Sequence, residues 1–232
     1  MLHVNTRQAL LPHPVLIHPG HVPIALDKPL LQFIAPGDDV DCTPASPRLY
    51  RVIDGCLAVY HLLADGRRQI TDIVGPGRTI AQQPDRDIGG AIKALTFTEV
   101  EVLDPTANPD LATEASLDSL DRLVRHATLL GRMNAAEKVA NGLLDLAAQF
   151  PRKLRQGRPV LTLYLTRGDL ADWLGLTVET VSRTLNQFKR DGVIDYAHAE
   201  IVTLTKTERL KEIASGNNPA TSARNNGKGK AQ

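Results

Sequence analysis

Cysteine is scarce in this chain, and long apolar runs are missing from it. Cys42 and Cys56 are the whole complement, too few for a disulfide framework or a four-thiolate metal site within one subunit. No apolar run approaches the roughly 18 residues of a membrane span. The first residues also lack a charged start followed by an apolar core, so a soluble, cytoplasmic protein is expected. There is no phosphate-cradling glycine loop, no H-E-x-x-H helix and no G-x-S-x-G elbow, which leaves an enzymatic reading without a motif.

What is present suffices for two modest domains: 232 residues, 42% of them apolar. The net charge of +1 hides an asymmetry. Residues 1–131 carry 11 Lys/Arg against 16 Asp/Glu, and residues 132–232 carry 16 against 10. The positive potential therefore lies in the C-terminal half, where a phosphate-binding surface would need it.

That half contains the most informative stretch, T-R-G-D-L-A-D-W-L-G-L-T-V-E-T-V-S-R-T-L-N-Q-F-K-R-D-G-V-I, from Thr166 to Ile194. Thr166 with Asp169 three residues on reads as an N-cap and its partner for a helix over 167–174. Gly175 supplies the positive φ that ends it. Thr177 caps a second helix running to about Asp191, and Gly192 closes it. Two helices joined by a short glycine turn give a helix-turn-helix outline. On the second helix Val178, Val181, Leu185 and Phe188 form an apolar stripe for packing on Leu170 and Trp173. Glu179, Ser182, Arg183, Asn186 and Arg190 share the opposite face. Arg can bond guanine O6 and N7, Glu can accept from the cytosine amino group, and Ser suits either base type. A solvated face with a Glu179–Arg183 i,i+4 pair, about 0.2–0.5 kcal/mol, is the plainer alternative, and the two are compatible.

The segment is similar, nearly continuously, to the winged-helix region of the Crp/Fnr superfamily, closest to its Fnr and FixK-like branches. The resemblance implies that Glu179, Ser182 and Arg183 read a TTGA-like half-site within an inverted repeat. It implies a homodimer that acts mainly as an activator and contacts RNA polymerase. Arg167, Thr177, Thr180, Asn186 and Arg190 are the candidates for phosphate positioning.

Ahead of this segment, short apolar runs alternate with turn signals from Leu31 to Leu103. Strands are expected over 49–53, 56–63, 68–74 and 94–103, broken at Asp54-Gly55, Asp65-Gly66 and Gly75-Pro76-Gly77. Such spacing suggests a small sandwich or jelly-roll barrel. The order Y-R-V-I-D-G-C-L-A-V-Y, then D-G-R-R-Q-I-T-D-I-V-G-P-G, resembles the superfamily's cyclic-nucleotide-binding β-roll. Between the two parts, Leu117, Leu120, Val124 and Ala127 follow the 3-4-3 spacing of a coiled-coil seam, widened by Leu123 and Leu130. A helix buried on its own domain would look alike; the resemblance assigns it to the dimer interface. A second helix is expected over 135–150, stopped by Pro151, followed by a basic loop over 152–158. A hairpin wing (193–196 with 201–204) and a closing helix over 207–213 follow.

The expected fold is thus α+β: an N-terminal arm (1–30), a jelly-roll β-roll (31–108), a dimerisation helix (109–133), a winged helix-turn-helix (134–214) and a disordered basic tail (215–232) bearing Arg224, Lys228 and Lys230. The arm carries five prolines with His13, His18 and His21; a loosely docked segment and a histidine metal site are its two readings. In cyclic-nucleotide-binding members a Glu holds the ribose and an Arg-Ser or Arg-Thr pair the phosphate. Here those positions fall near Gln82 and at Ile88-Gly89, with Arg78-Thr79 and Arg86 nearby, which argues against a cyclic nucleotide. Residues 1–41 lack the cysteines of the Fnr iron–sulfur cluster, which needs four thiolates or close equivalents. What remains resembles FixK-like regulators of low-oxygen respiration or nitrogen fixation, with no cofactor expected. Cys42 or Cys56 as a thiol switch stands against an idle cysteine. A Crp-type regulator gated by haem, a nucleotide or a small acid in the β-roll, and an enzyme with an accessory DNA-binding-like domain, are the rivals.

Overall fold

The computed structural model of the chain describes residues 30–40, 47–82, 90–153, 159–198 and 201–216. The expectations placed on the proline-rich arm, Cys42, Arg86, Ile88-Gly89, the side chains of the 152–158 basic run and the basic tail lie outside them.

Seven strands build the N-terminal part: β1 (Leu30–Ile34), β2 (Arg48–Asp54), β3 (Leu57–Leu62), β4 (Arg68–Val74), β5 (Thr79–Gln82), β6 (Ala91–Ala94) and β7 (Thr98–Leu103). They form an antiparallel four-stranded sheet ordered β1-β7-β2-β5 and a three-stranded sheet ordered β4-β3-β6. Successive side chains on a strand point to opposite faces. Ile34, Tyr50, Val52, Val100 and Val102 of the first sheet therefore meet Leu57, Val74 and Ile92 of the second in one core.

One expected strand, over 94–103, is two. Ala94 pairs with Leu57 in the small sheet, whereas Thr98 pairs with Ile34 in the large one. The chain changes sheets through Leu95-Thr96-Phe97, a tripeptide with no glycine or proline to announce a corner. Gly55 makes the corner possible. Its φ is +95°, and a Cβ there would lie 2.5 Å from the Phe97 carbonyl oxygen. Thr98 Oγ1 accepts from the Cys56 amide beside it at 3.1 Å.

The small sheet is buried on its other face too. Ala58, Tyr60, Ile70 and Ile73 join a second core with helical residues that include Val139, Leu143, Leu146, Trp173 and Leu174. Those helices are α1 (Pro109–Arg132), α2 (Ala135–Gln149), α3 (Arg167–Leu174), α4 (Val178–Arg190) and α5 (Thr207–Ala214). Helix α1 opens with Pro109 in its first turn, where a missing N–H costs nothing. Helix α2 opens on an Asn134–Glu137 capping box. Arg122 of α1 donates to Asp72 of β4 at 2.7 Å and to Asp145 of α2 at 2.9 Å, tying the long helix to its neighbours on both sides.

After Pro151 the chain does not remain an uninterrupted loop. Strand β8 (Pro151–Lys153) pairs with β9 (Pro159–Thr162), and with β10 (Ile194–His198) and β11 (Ile201–Leu204) they form a four-stranded sheet ordered β10-β11-β9-β8. The expected hairpin wing is the outer pair of this larger sheet.

Candidate nucleic-acid interface

Local chemistry sets the helix pair. Thr166 Oγ1 accepts from the Asp169 amide at 3.0 Å, and the Asp169 carboxylate accepts from the Thr166 amide at 3.0 Å. Burial opposes ionisation of Asp169, but the Thr166 hydroxyl and amide and the Arg68 guanidinium outweigh it, so the carboxyl sits below the usual range. Gly175 ends α3 at φ +59°, ψ +47°, the left-handed region. Thr177 Oγ1 then caps α4 by accepting from the Thr180 amide at 3.2 Å.

Helix α4 buries Val181, Leu185 and Phe188 in the same core as Leu170 and Trp173. Val178 departs from the expected stripe: it is 44% exposed, because it sits in the first turn, where the helix has just left the glycine corner. On the other side Glu179, Arg183, Asn186 and Arg190 are exposed and Ser182 is half-buried. The arc expected to read bases is open to solvent. Arg183 donates to Thr180 Oγ1 at 3.5 Å. The Glu179 carboxyl is held below its ordinary range by its own backbone amide at the helix start, the Thr177 hydroxyl and the charge of Arg183. It is therefore a carboxylate, and an acceptor, at neutral pH.

The expected phosphate contacts divide into two groups. Thr177, Thr180 and Arg190 lie along the α4 surface, with Arg190 donating to Gln187 Oε1 at 2.6 Å. Arg167 and Asn186 instead converge on Tyr196 of β10. The Arg167 guanidinium lies 5.7 Å from the Tyr196 ring centroid, and the Tyr196 hydroxyl donates to Asn186 Oδ1 at 2.5 Å. Arg167 is half-buried, and its Nη1 has no hydrogen-bond partner among the described residues. Lys189, absent from the expected set, approaches the same ring at 4.3 Å. No local pattern announces Tyr196, since its partners lie 7 to 29 positions away on two different helices.

The β-roll grips the helix pair from behind. Arg68 of β4 donates to Asp169 at 2.6 Å and to Asp172 at 2.8 and 2.9 Å. Gln69 donates to the Asp172 carbonyl at 2.6 Å. From α1, His126 stacks on Trp173 with ring centroids 6.4 Å apart and planes 8° apart. Burial drives the His126 pKa down, with Asp72 opposing. A cavity of about 680 Å³ lies at this junction, lined among others by Asp72, Arg122, His126, Asn141 and Trp173.

As for effector positions, Gln82 closes β5, and Arg78 is engaged by Asp72 at 2.9 Å and Asp118 at 2.7 Å. Cys56 is buried, which pushes its thiol pKa far up and disfavours the reactive thiolate. Among the described residues no cluster of three or more His, Cys, Asp or Glu side chains is placed to hold a metal ion. No described helix is long and apolar enough to cross a membrane.

A two-sheet β-roll, a long connecting helix and a winged helix-turn-helix with an open polar arc define a DNA-binding transcription regulator. Comparison with known proteins specifies it further. A Crp-like helix-turn-helix domain model matches residues 137–213. The nitrogen fixation regulation protein FixK of Azorhizobium caulinodans is 33% identical over 189 residues, 77% of this chain and 75% of that protein. The transcriptional activator protein FnrL of Cereibacter sphaeroides is 34% identical over 177 residues, 70% and 71% of the two chains. The structure of FixK2 from Bradyrhizobium japonicum superposes with a TM-score of 0.68 at 26% identity, covering 80% of this chain and 97% of that one. The chain belongs to the Crp/Fnr family of transcription regulators, in its FixK-like branch.

Proposed function

We propose that the protein acts as a homodimer on an inverted repeat with TTGA-like half-sites, mainly as an activator that contacts RNA polymerase. Its targets in this reading are genes of nitrogen fixation or low-oxygen respiration; relatives carry the names nitrogen fixation regulation protein and anaerobic regulatory protein. The observation that carries the reading is the open face of α4. Glu179, Ser182 and Arg183 occupy the N-terminal half of the recognition helix, the half that reaches base edges in a major groove. Arg183 takes a guanine, Glu179 the opposing cytosine amino group, and Ser182 the neighbouring pair. Arg167, Thr177, Thr180, Asn186 and Arg190 fix the backbone.

The second copy attaches along α1. Leu117, Leu120 and Val124 are 63%, 56% and 58% exposed, and Ala127 is exposed on the same seam. An apolar stripe of that length on one helix needs a partner to cover it. Division of labour follows the chain: a sensor-like β-roll over 31–108, the dimer helix over 109–133 and the DNA-binding unit over 134–214. No catalytic step belongs to this activity.

The test is selection from a randomised duplex pool by the full chain. A two-fold symmetric motif with half-sites about one DNA turn apart is the expected outcome. Recovery of no enriched motif, at salt low enough for binding, overturns the reading.

A further inference from the structure

We infer that Tyr196 is a positioning residue for DNA binding, holding Arg167, Lys189 and Asn186 in place to meet the phosphate backbone beside the recognition helix. This rests on the function proposed above and assigns roles to Tyr196 and Lys189 that the base-reading arc does not include.

Three elements meet at this ring. Arg167 comes from the first turn of α3, Asn186 and Lys189 from the second half of α4, and Tyr196 from the wing strand β10. Lys189 lies two turns beyond Ser182 and one beyond Asn186, so it borders the DNA-facing arc. The register of β10 against β11 shifts between Tyr196 and His198, the kind of bulge that re-aims a side chain at a strand end.

The chemistry at each partner is specific. The face of a tyrosine ring attracts cations electrostatically within about 6 Å, and both Arg167 at 5.7 Å and Lys189 at 4.3 Å fall inside that range. Lys189 is held further by the Tyr196 carbonyl at 2.7 Å and by Asp195 at 3.4 Å. Among the described residues Arg167 has no such anion, and its buried Nη1 has no acceptor. Its positive charge, half-buried beside the wing, is one a DNA phosphate passing nearby would oppose. The hydroxyl does something different. By donating to Asn186 Oδ1 it occupies the amide's acceptor and leaves the NH₂ group as the free end. Asn186 is thereby set as a donor, suited to a phosphate oxygen. Ordering these side chains before DNA arrives removes rotamer entropy that binding would otherwise have to supply.

Two substitutions separate the ring from the hydroxyl. In the full chain bound to its selected duplex, Tyr196→Phe should weaken binding several-fold with the salt dependence unchanged, because a neutral donor is removed. Tyr196→Leu should weaken it by about tenfold or more and flatten the plot of log affinity against log salt by about 0.9 for each phosphate no longer neutralised. Asn186→Ala should add little in the Tyr196→Phe background. Unfolding midpoints are measured in parallel: a purely structural role would lower them while leaving the salt slope in place. Wild-type affinity and slope in Tyr196→Leu, or additive effects of Tyr196→Phe and Asn186→Ala, overturn the inference and leave the proposed function standing. A wild-type protein that selects no symmetric site overturns both.

Discussion

Arg183 is held within the chain by little more than a 3.5 Å bond to Thr180, so in the proposed reading its energy is realised at the base it meets. Arg183→Ala should cost about 1–3 kcal/mol on the selected site and far less on random duplex, measured by titration of both at fixed salt. Equal losses on the two would make it a phosphate contact. In the proposed reading its neighbour Glu179 adds selectivity through the ionised form that the helix start and Thr177 protect. At this scale most of the arc is legible in the sequence, because exposure and spacing on a helix follow from its 3.6-residue period. Val178 escapes that rule, since a helix's first residue has no preceding turn to bury against. Lys189 and Tyr196 stay hidden for another reason: a contact between a strand and two helices leaves no periodic trace.

Among the elements, α3 is legible to the residue and α4 to within one residue at its end, because capping hydroxyls and a left-handed glycine are signals confined to a few positions. The same cap gives a prediction. Asp169 closes the α3 capping box and also accepts from Arg68. Asp169→Asn keeps the shape, weakens both, and should destabilise the protein by about 1–3 kcal/mol at neutral pH. That corresponds to about 2–4 °C of Tm for each kcal/mol in a chain of this size. The native carboxyl titrates below its unfolded value of about 3.9, so its contribution is present above that pH and disappears as acid titrates the native form. The Tm difference between wild type and Asp169→Asn should therefore shrink steadily below about pH 4. The strands are harder to read. The β6–β7 corner has Leu-Thr-Phe where a turn residue would normally stand, and what permits it is Gly55, some forty positions earlier. Strands β8 and β9 flank a basic run whose composition suggests a loop, and their sheet neighbour β11 lies beyond the whole helix pair.

For the whole molecule two features decide behaviour. The first is the bare α1 stripe. If the proposed homodimer forms along it, Leu120→Glu combined with Val124→Glu should leave the fold intact, since both side chains are exposed, while shifting sedimentation from dimer to monomer and abolishing preference for a symmetric site. A variant that stays dimeric would place the interface elsewhere. The second is the His126–Trp173 stack between α1 and α3. Burial keeps His126 neutral in the fold, whereas the unfolded chain takes up a proton near pH 6.5. The lowered native pKa means that its stabilisation holds above about pH 6.5 and is lost as pH falls toward the native value. Thermal stability should fall more steeply as pH drops from about 7 to about 5 in wild type than in His126→Phe, which preserves a ring against Trp173. Parallel pH profiles would show that His126 is not the group responsible.

The three-stranded sheet, packed on both of its faces, also limits how this regulator can be rebuilt. Ala58, Tyr60, Ile70 and Ile73 form the back wall against which the helix pair rests, and Arg68 and Gln69 are its latches. A chimera that grafts the recognition half onto a foreign input module would inherit the reading head without its mounting. Exchange between such proteins should succeed only when the third and fourth strands travel with the cargo they support.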